Sequence, residues 1–230
     1  WGVVDMQAGP QAPGFDAVLP KLGKTSAMTE HGVWLKLHPC CASTHRPVDA
    51  LLELRAAHDL RPNNVARIEA RISEVAFANL RFLDPQNELE ARFSLPYCVI
   101  RALVDGRLVR NAFTLPEIRR PDIRALLPRV LQAVDPALAA NCPSNETREG
   151  ATVEVHLSDG RVVRASVAIP HGHPADPLTD GELAQKFRDC GAGVIEPVAA
   201  ERVLDALALL EPLPRLEPML APLRIGPMQA

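Results

Sequence analysis

Apolar positions along this chain change period several times, and each change marks an element. Val65, Ile68, Ala70 and Ile72, with charges between them, predict a strand over residues 65–75, although its register is ambiguous. A short strand over 33–37 and another near 129–134 are expected on the same grounds. The best hairpin lies at residues 152–169: Thr-Val-Glu-Val-His-Leu alternates, Ser158-Asp159-Gly160 turns, and a second alternating run returns. Helical spacing appears elsewhere. Val48, Leu51, Leu52 and Leu54 line one face of a helix expected from an N-cap at Thr44 to about residue 60, with Pro47 in its first turn. Ser94 and Pro96 open a second helix, whose buried side is Val99, Ile100, Leu103 and Val104, and Gly106 ends it. Short helices are expected near residues 15–22 and 122–127. Thr179 with Glu182 reads as a capping box opening a helix to about residue 190, and Pro197 opens one to about residue 210. Residues 83–90 read as polar loop, and the Pro-rich tail as extended.

Strands and helices intersperse without regular alternation. The fold class is therefore α+β, with an antiparallel sheet of about four strands covered by helices. No internal repeat is visible.

Composition narrows the partners. Of the 230 residues, 47% are hydrophobic, enough to bury a core, and the net charge of −3 gives no basic footprint for nucleic acid. Apolar stretches are too short to span a bilayer, and no secretory signal pattern opens the chain. Cys40, Cys41, Cys98, Cys142 and Cys190 are scattered and odd in number, which favours a reducing cytoplasm over a disulfide framework. Cys40 and Cys41 lie near His38 and His45, but no second ligand pair accompanies them, so no metal site is expected.

Three constellations could carry chemistry. Lys36 lies just before a turn and His45 at a helix N-terminus, where free N–H groups, with the added cation, attract a carboxylate or phosphate. The same field disfavours imidazolium, so a neutral His45 could serve as base or donor. Glu90, Arg92, Ser94 and Tyr97 surround the next helix start; Arg92 could grip a carboxylate and Tyr97 could donate to a developing oxyanion. His171-Gly172-His173 could be a loop over a site. Each has a plainer reading: Thr44 and His45 as caps with cysteines as core filler, an Arg–Glu surface pair with a packed Tyr, and a surface loop. Phosphate loops, nucleophile elbows, HExxH runs and calcium loops are absent.

Two of these segments, taken with a third, resemble one family. Lys36-Leu-His-Pro-Cys-Cys-Ala-Ser-Thr-His45-Arg-Pro-Val-Asp-Ala50 is similar to the Lys-x-Tyr-Pro-Cys-Cys-x-x-x-His-x-x-x-Asp-Ala stretch of the MmgE/PrpD family. Glu90-Ala-Arg92-Phe-Ser94-Leu-Pro-Tyr97 is similar to its Glu-Ala-x-Phe-Ser-x-x-Tyr segment. Pro177-Leu-Thr, with Glu182-Leu and Lys186-Phe-Arg188, is similar to its Asn-Pro-Leu-Thr…Lys-Phe stretch. Order and spacing match from about residue 34 to 210.

The resemblance implies the C-terminal portion of a lyase or isomerase of small di- and tricarboxylates, such as 2-methylcitrate dehydratase of propionate metabolism, working without an obligatory metal or organic cofactor. It implies a homodimer in which an all-helical domain, supplying further acid–base groups, accompanies this α+β domain. On that basis residues 1–32 are a connecting segment, 33–178 the α+β domain, 179–212 helices that would pack on the helical domain, and 213–230 a tail. The expected substrate binders are Lys36, Arg92 and Ser94; the expected catalytic residues are His45 and Tyr97. Departures bear on the substrate: His38 stands where the family commonly has Tyr, and His171-Gly172-His173 where many members have Lys-Gly. The rival reading is a non-catalytic subunit or remnant domain serving assembly.

Overall fold

The computed structural model describes residues 19–24, 26, 28–29, 32–140, 150–212 and 214–223. The chain divides into a unit of residues 1–34 and a unit of residues 35–230. In the first, a 3-10 turn covers Leu19–Lys21; the rest of the helix expected near residues 15–22 lies largely outside the described residues. The strand expected over 33–37 is not formed, and the chain there is irregular.

In the second unit, α1 (His45–His58) precedes β1 (Val65–Ile72). Short helices α2 (Glu74–Asn79) and α3 (Glu88–Arg92) lead to α4 (Leu95–Asp105), then α5 (Leu115–Ile118) and α6 (Pro121–Arg124). Strand β2 (Val130–Val134) and α7 (Pro136–Ala140) come before the hairpin of β3 (Ala151–Leu157) and β4 (Val162–Val167). Helices α8 (Asp180–Gly191), α9 (Pro197–Ala208) and α10 (Glu217–Leu220) follow. The tail thus holds a helical turn, not the extended chain expected.

The sheet order is β2-β1-β3-β4. The α+β class holds, with one refinement: β1 pairs with β3 antiparallel, and β3 with β4, but β2 lies parallel to β1, Ile68 opposite Val130 and Ile72 opposite Val134. A parallel neighbour needs a long crossover, and residues 73–129 provide it. The register ambiguity in β1 has a physical cause: pairing slips between Val65 and Arg67, so Val65 and Ile68 both face inward despite their odd spacing. The strand stops at Ile72 because the Ser73 hydroxyl accepts the Ala76 N–H and starts α2. Likewise Asn87 caps α3 where loop was expected.

Helices α1 and α4 pack on each other; α1 lies against β3 and β4, and α4 against β2. Val48, Leu51, Ile68, Val99, Ile100, Val153 and Val155 are fully buried between them. Ser94 caps α4 by accepting the Tyr97 N–H, and Gly106 ends it at φ 73°. That left-handed backbone favours glycine, and a Cβ there would also push the Arg55 guanidinium aside from 2.7 Å. No described helix is long and apolar enough to cross a membrane.

Candidate functional site

The segment ahead of α1 is pinned by two bonds from α3. The Cys41 N–H donates to the Arg92 carbonyl at 2.9 Å, and the Arg92 guanidinium donates to the Pro39 carbonyl at 2.6 Å. Two motifs some fifty residues apart in sequence are thereby stitched together. Arg92 also lies 4.9 Å above the Phe113 ring, a cation–π contact. Its fork is thus partly committed to holding the segment.

Thr44 is not the cap the sequence suggests. Its hydroxyl donates to the Cys41 carbonyl at 2.8 Å and lies 2.8 Å from the Cys40 sulfur, so it closes the 3-10 turn Ala42–Thr44. His45 follows as the first residue of α1, 3% exposed, and its Nε2 has no hydrogen-bond partner. Its ring meets that of His38 edge-on, centroids 5.1 Å apart. A buried imidazole nitrogen without a partner costs stability unless water or a ligand completes it.

The thiols beneath are coupled. Burial raises Cys40, but hydrogen bonds from Cys98, His45 and Thr44 outweigh burial and hold the thiol below its ordinary value. Burial and the neighbouring Cys40 push Cys98 up. Cys40, Cys41, Cys98 and Cys190 are free thiols.

His38 is anchored by a 2.9 Å contact between its Nε2 and an Asp49 carboxylate oxygen. The other Asp49 oxygen accepts the His171 N–H at 3.0 Å. The His171 ring is bound on both sides, to Asp176 at 3.1 Å and Glu182 at 2.8 Å. Burial opposes its protonation, yet the two carboxylates raise it above the usual histidine value. Glu182 is lowered to about 2 by the Thr179 N–H, His171 and the Thr179 hydroxyl. The His171-Gly172-His173 loop is therefore tied down, not free. Gly172 sits at φ 97°, its carbonyl accepts the Leu35 N–H, and a Cβ there would come within 2.0 Å of the Leu35 carbonyl oxygen.

A cleft of about 240 Å³ opens beside this segment, between Leu37–Pro39, Gly106–Arg110 and the face of α8 that carries Glu182, Lys186 and Asp189. That is at the small end for ligand sites, which run from roughly 300 Å³ upward. Lys186 reaches the Leu37 carbonyl at 3.4 Å, and Arg107 faces Asp189 at 3.5 Å.

The expected site residues divide accordingly. Lys36 is exposed on the segment leading to His38. His45 and Arg92 are brought to the same segment. Ser94 and Tyr97 are not presented at a surface of this chain: both are fully buried, the Ser94 hydroxyl caps α4, and the Tyr97 hydroxyl donates to the Ala112 carbonyl. Burial pushes the Tyr97 phenol up to about 12, and its ring tilts against Phe113 at 5.8 Å. Tyr97, expected to act as a catalytic residue, faces the core.

Sequence reasoning missed Asp49, which holds His38 and His171 together. It also missed Arg101, a buried cation that pairs with Asp105 within α4 and ties α4 to α5 through Glu117, each at 2.6 Å. His171 and Glu117 lie too far along the chain from Asp49 and Arg101 to leave a local signal, although Asp49 lay within the first motif. Among the described residues, one trio of potential metal ligands lies close together: Glu69, Glu154 and His156 on the outer face of the sheet. Arg67 contacts both Glu69, at 2.5 Å, and the His156 ring, at 3.3 Å, and supplies the positive charge a metal would bring.

The fold is an α+β domain that gathers Lys36, His38 and His45 before and at the start of one helix. The chain belongs to the MmgE/PrpD family: the MmgE/PrpD C-terminal domain matches residues 38–211. It is 31% identical over 222 residues to the cis-aconitate decarboxylase of Homo sapiens, covering 92% of this chain and 44% of that protein. It is 29% identical over 197 residues to the Mus musculus cis-aconitate decarboxylase, covering 83% of this chain and 38% of that protein. A cis-aconitate decarboxylase of Aspergillus terreus is 22% identical over 198 residues, covering 81% of this chain and 39% of that protein. The chain spans less than half the length of each of these relatives.

Proposed function

We propose that this chain is the α+β part of a lyase that decarboxylates a small unsaturated tricarboxylate, cis-aconitate being the substrate named for its relatives. The observation that carries the reading is the buried His45 Nε2, left without a partner at the start of a 14-residue helix, next to His38 and the Lys36 segment. The helix end and Lys36 favour a carboxylate there. In such a reaction the bond to the departing carboxylate breaks and its electron pair stays on carbon. Fixed donors and cations stabilise that charge, and a proton from an acid then forms the new C–H bond.

In this reading Lys36 binds a substrate carboxylate and His45 moves a proton. Arg92, Ser94 and Tyr97 act one step back: Arg92 holds the Pro39 turn, and Ser94 and Tyr97 hold α4 against it. Further acid–base groups come from a helical part of the family's architecture. The assay measures carbon dioxide released from cis-aconitate, and water loss from 2-methylcitrate, by the chain alone and together with the N-terminal part of a cis-aconitate decarboxylase. The expected result is carbon dioxide release by the combination, abolished by His45→Ala. Turnover that survives His45→Ala, or dehydration of 2-methylcitrate in its place, overturns the reading.

A further inference from the structure

His38 is the residue by which this sequence departs from the family pattern in its first motif, and the structure gives the departure a physical setting. The side chain is 3% exposed, and a buried histidine of this kind needs a partner on each nitrogen. Nε2 has one, Asp49, at 2.9 Å. Asp49 is itself held, because its second oxygen accepts the His171 N–H. The other ring nitrogen, Nδ1, makes no hydrogen bond among the described residues, yet it is not one of the enclosed orphan atoms. His38 itself lines the cleft.

That cleft has an electrostatic sign. Its acids are answered: Glu182 by His171, and Asp189 by Arg107 and by Gln185 at 3.0 Å. Lys186 donates to a backbone carbonyl, which adds no compensating charge, and Arg110 is exposed at the rim. Leu37, Leu52, Leu108 and Val109 form the apolar walls. An apolar body with anionic ends fits such a lining; a cation or a neutral polar molecule does not.

We propose that His38, oriented by Asp49, is a substrate-contacting residue of this cleft: when protonated it donates from Nδ1 to one carboxylate of a small di- or tricarboxylate. This rests on the proposed function for its substrate class and adds a residue and a pH dependence to it. Asp49 is a positioning residue. It accepts from Nε2–H, which leaves Nδ1 as the atom that gains or loses the proton. The charged and titratable groups around His38 are Asp49 and His45 from α1, Glu182 and Lys186 from α8, Arg107 after α4, and Arg92 from α3. A carboxylate arriving at Nδ1 favours the protonated ring. Binding then takes up a proton, and affinity rises as pH falls, until the ligand's own carboxylates protonate.

The test uses the 230-residue chain and propane-1,2,3-tricarboxylate, a saturated probe that cannot react. Titration calorimetry at about pH 6 and about pH 8 in buffers of different ionisation enthalpy reads affinity and proton uptake. The expected result is about tenfold tighter binding at the lower pH, with proton uptake, and a His38 imidazole NMR signal that moves on binding. His38→Tyr, which restores the family's usual residue, removes the pH ratio and the uptake. His38→Gln keeps a donor for Asp49 but cannot take up a proton, and does the same if the tyrosine fails to fold. Asp49→Asn reduces the ratio, and Asp49→Glu restores part of it. No binding by the unaltered chain, or an unchanged pH ratio in both His38 variants, overturns the proposal. Binding through His38 without carbon dioxide release from cis-aconitate would sink the proposed reaction and leave this inference standing; release with a pH-independent, His38-independent affinity would do the reverse.

Discussion

Replacing Tyr97 by Phe separates a structural tyrosine from a catalytic one. The phenol is fully buried in α4 and donates to the Ala112 carbonyl, itself buried, while the ring rests on Phe113. Tyr97→Phe keeps the ring and strips the carbonyl of its donor. An orphaned buried acceptor costs about 1–3 kcal/mol, and the cavity left by one oxygen adds little. Denaturant unfolding at constant slope should show that loss as a lower midpoint. A second reading comes from pH. The folded phenol sits at about 12, above its ordinary value of 10.0. Its raised value means that the stability tied to the protonated form is complete below about pH 10 and is lost as pH rises towards about 12, a decline of up to about 3 kcal/mol. Tyr97→Phe should remove that alkaline decline. A variant with unchanged stability but lost turnover would refute this reasoning, because it would mean the hydroxyl meets substrate rather than Ala112.

Gly172→Ala should destabilise by several kcal/mol or detach the loop, since a Cβ would meet the Leu35 carbonyl at 2.0 Å on a backbone with φ 97°; hydrogen exchange at the Leu35 amide reads this directly. The His171–Glu182 contact should be strongest between about pH 4.5 and pH 6.5. Glu182, lowered to about 2, contributes above its ordinary 4.5 and loses that contribution as pH falls; His171, raised above 6.5, contributes below that value and loses it as pH rises through its folded value. The thermal midpoint of His171→Gln should fall less than that of the unaltered chain as pH leaves that window in either direction. Thr179→Ala removes the capping box of α8 and should cost about 1 kcal/mol, read as a lower denaturation midpoint with α8 exchanging faster.

What could be read from the sequence was local. Ser94 and Gly106 bracket α4, Thr179 and Glu182 cap α8, and Asp159-Gly160 turns the hairpin, each by bonds within a few residues. Thr44 misled because its hydroxyl had a competing local partner, the Cys41 carbonyl, that no cap rule weighs. The parallel placement of β2 depends on where a long crossover returns, and alternation in residues 130–134 is the same for either direction. Much the same limit governed the site. The motifs around Lys36 and Arg92 are visible in the sequence, but the bonds through Pro39 and Cys41 that join them span some fifty residues and leave no local signal. Which side chains face outward was not legible either, because a tyrosine in a helix's first turn looks the same in sequence whether its hydroxyl meets solvent or Ala112.

The surface of α9 makes a prediction about association. Val198 and Leu207 on α9, and Leu209 and Leu210 just past its end, are exposed, at 65%, 41%, 60% and 44%, while Ala200 and Val203 alone on this helix are buried. The helix is amphipathic in composition, but only its Ala200–Val203 side is covered. Two charge-assisted bonds from Arg188 to Glu201, at 2.6 and 2.8 Å, hold it to α8, and exposed pairs of this kind are worth little. Exposed apolar side chains clustered at the end of α9 and just beyond it, Leu207, Leu209 and Leu210, suit an interaction surface. In the family this chain belongs to, a helical domain is the expected cover. The chain by itself should therefore self-associate in light scattering, with a concentration-dependent mass. Val198→Glu with Leu209→Glu should render it monomeric without lowering its unfolding free energy by more than about 0.5 kcal/mol, the usual range for surface changes. Addition of the helical part of a relative should protect α9 amides from exchange in the unaltered chain and not in the double variant. A monodisperse monomer at all concentrations, or a double variant that unfolds, would mean that these side chains are packed within the chain and that no partner is needed to cover them.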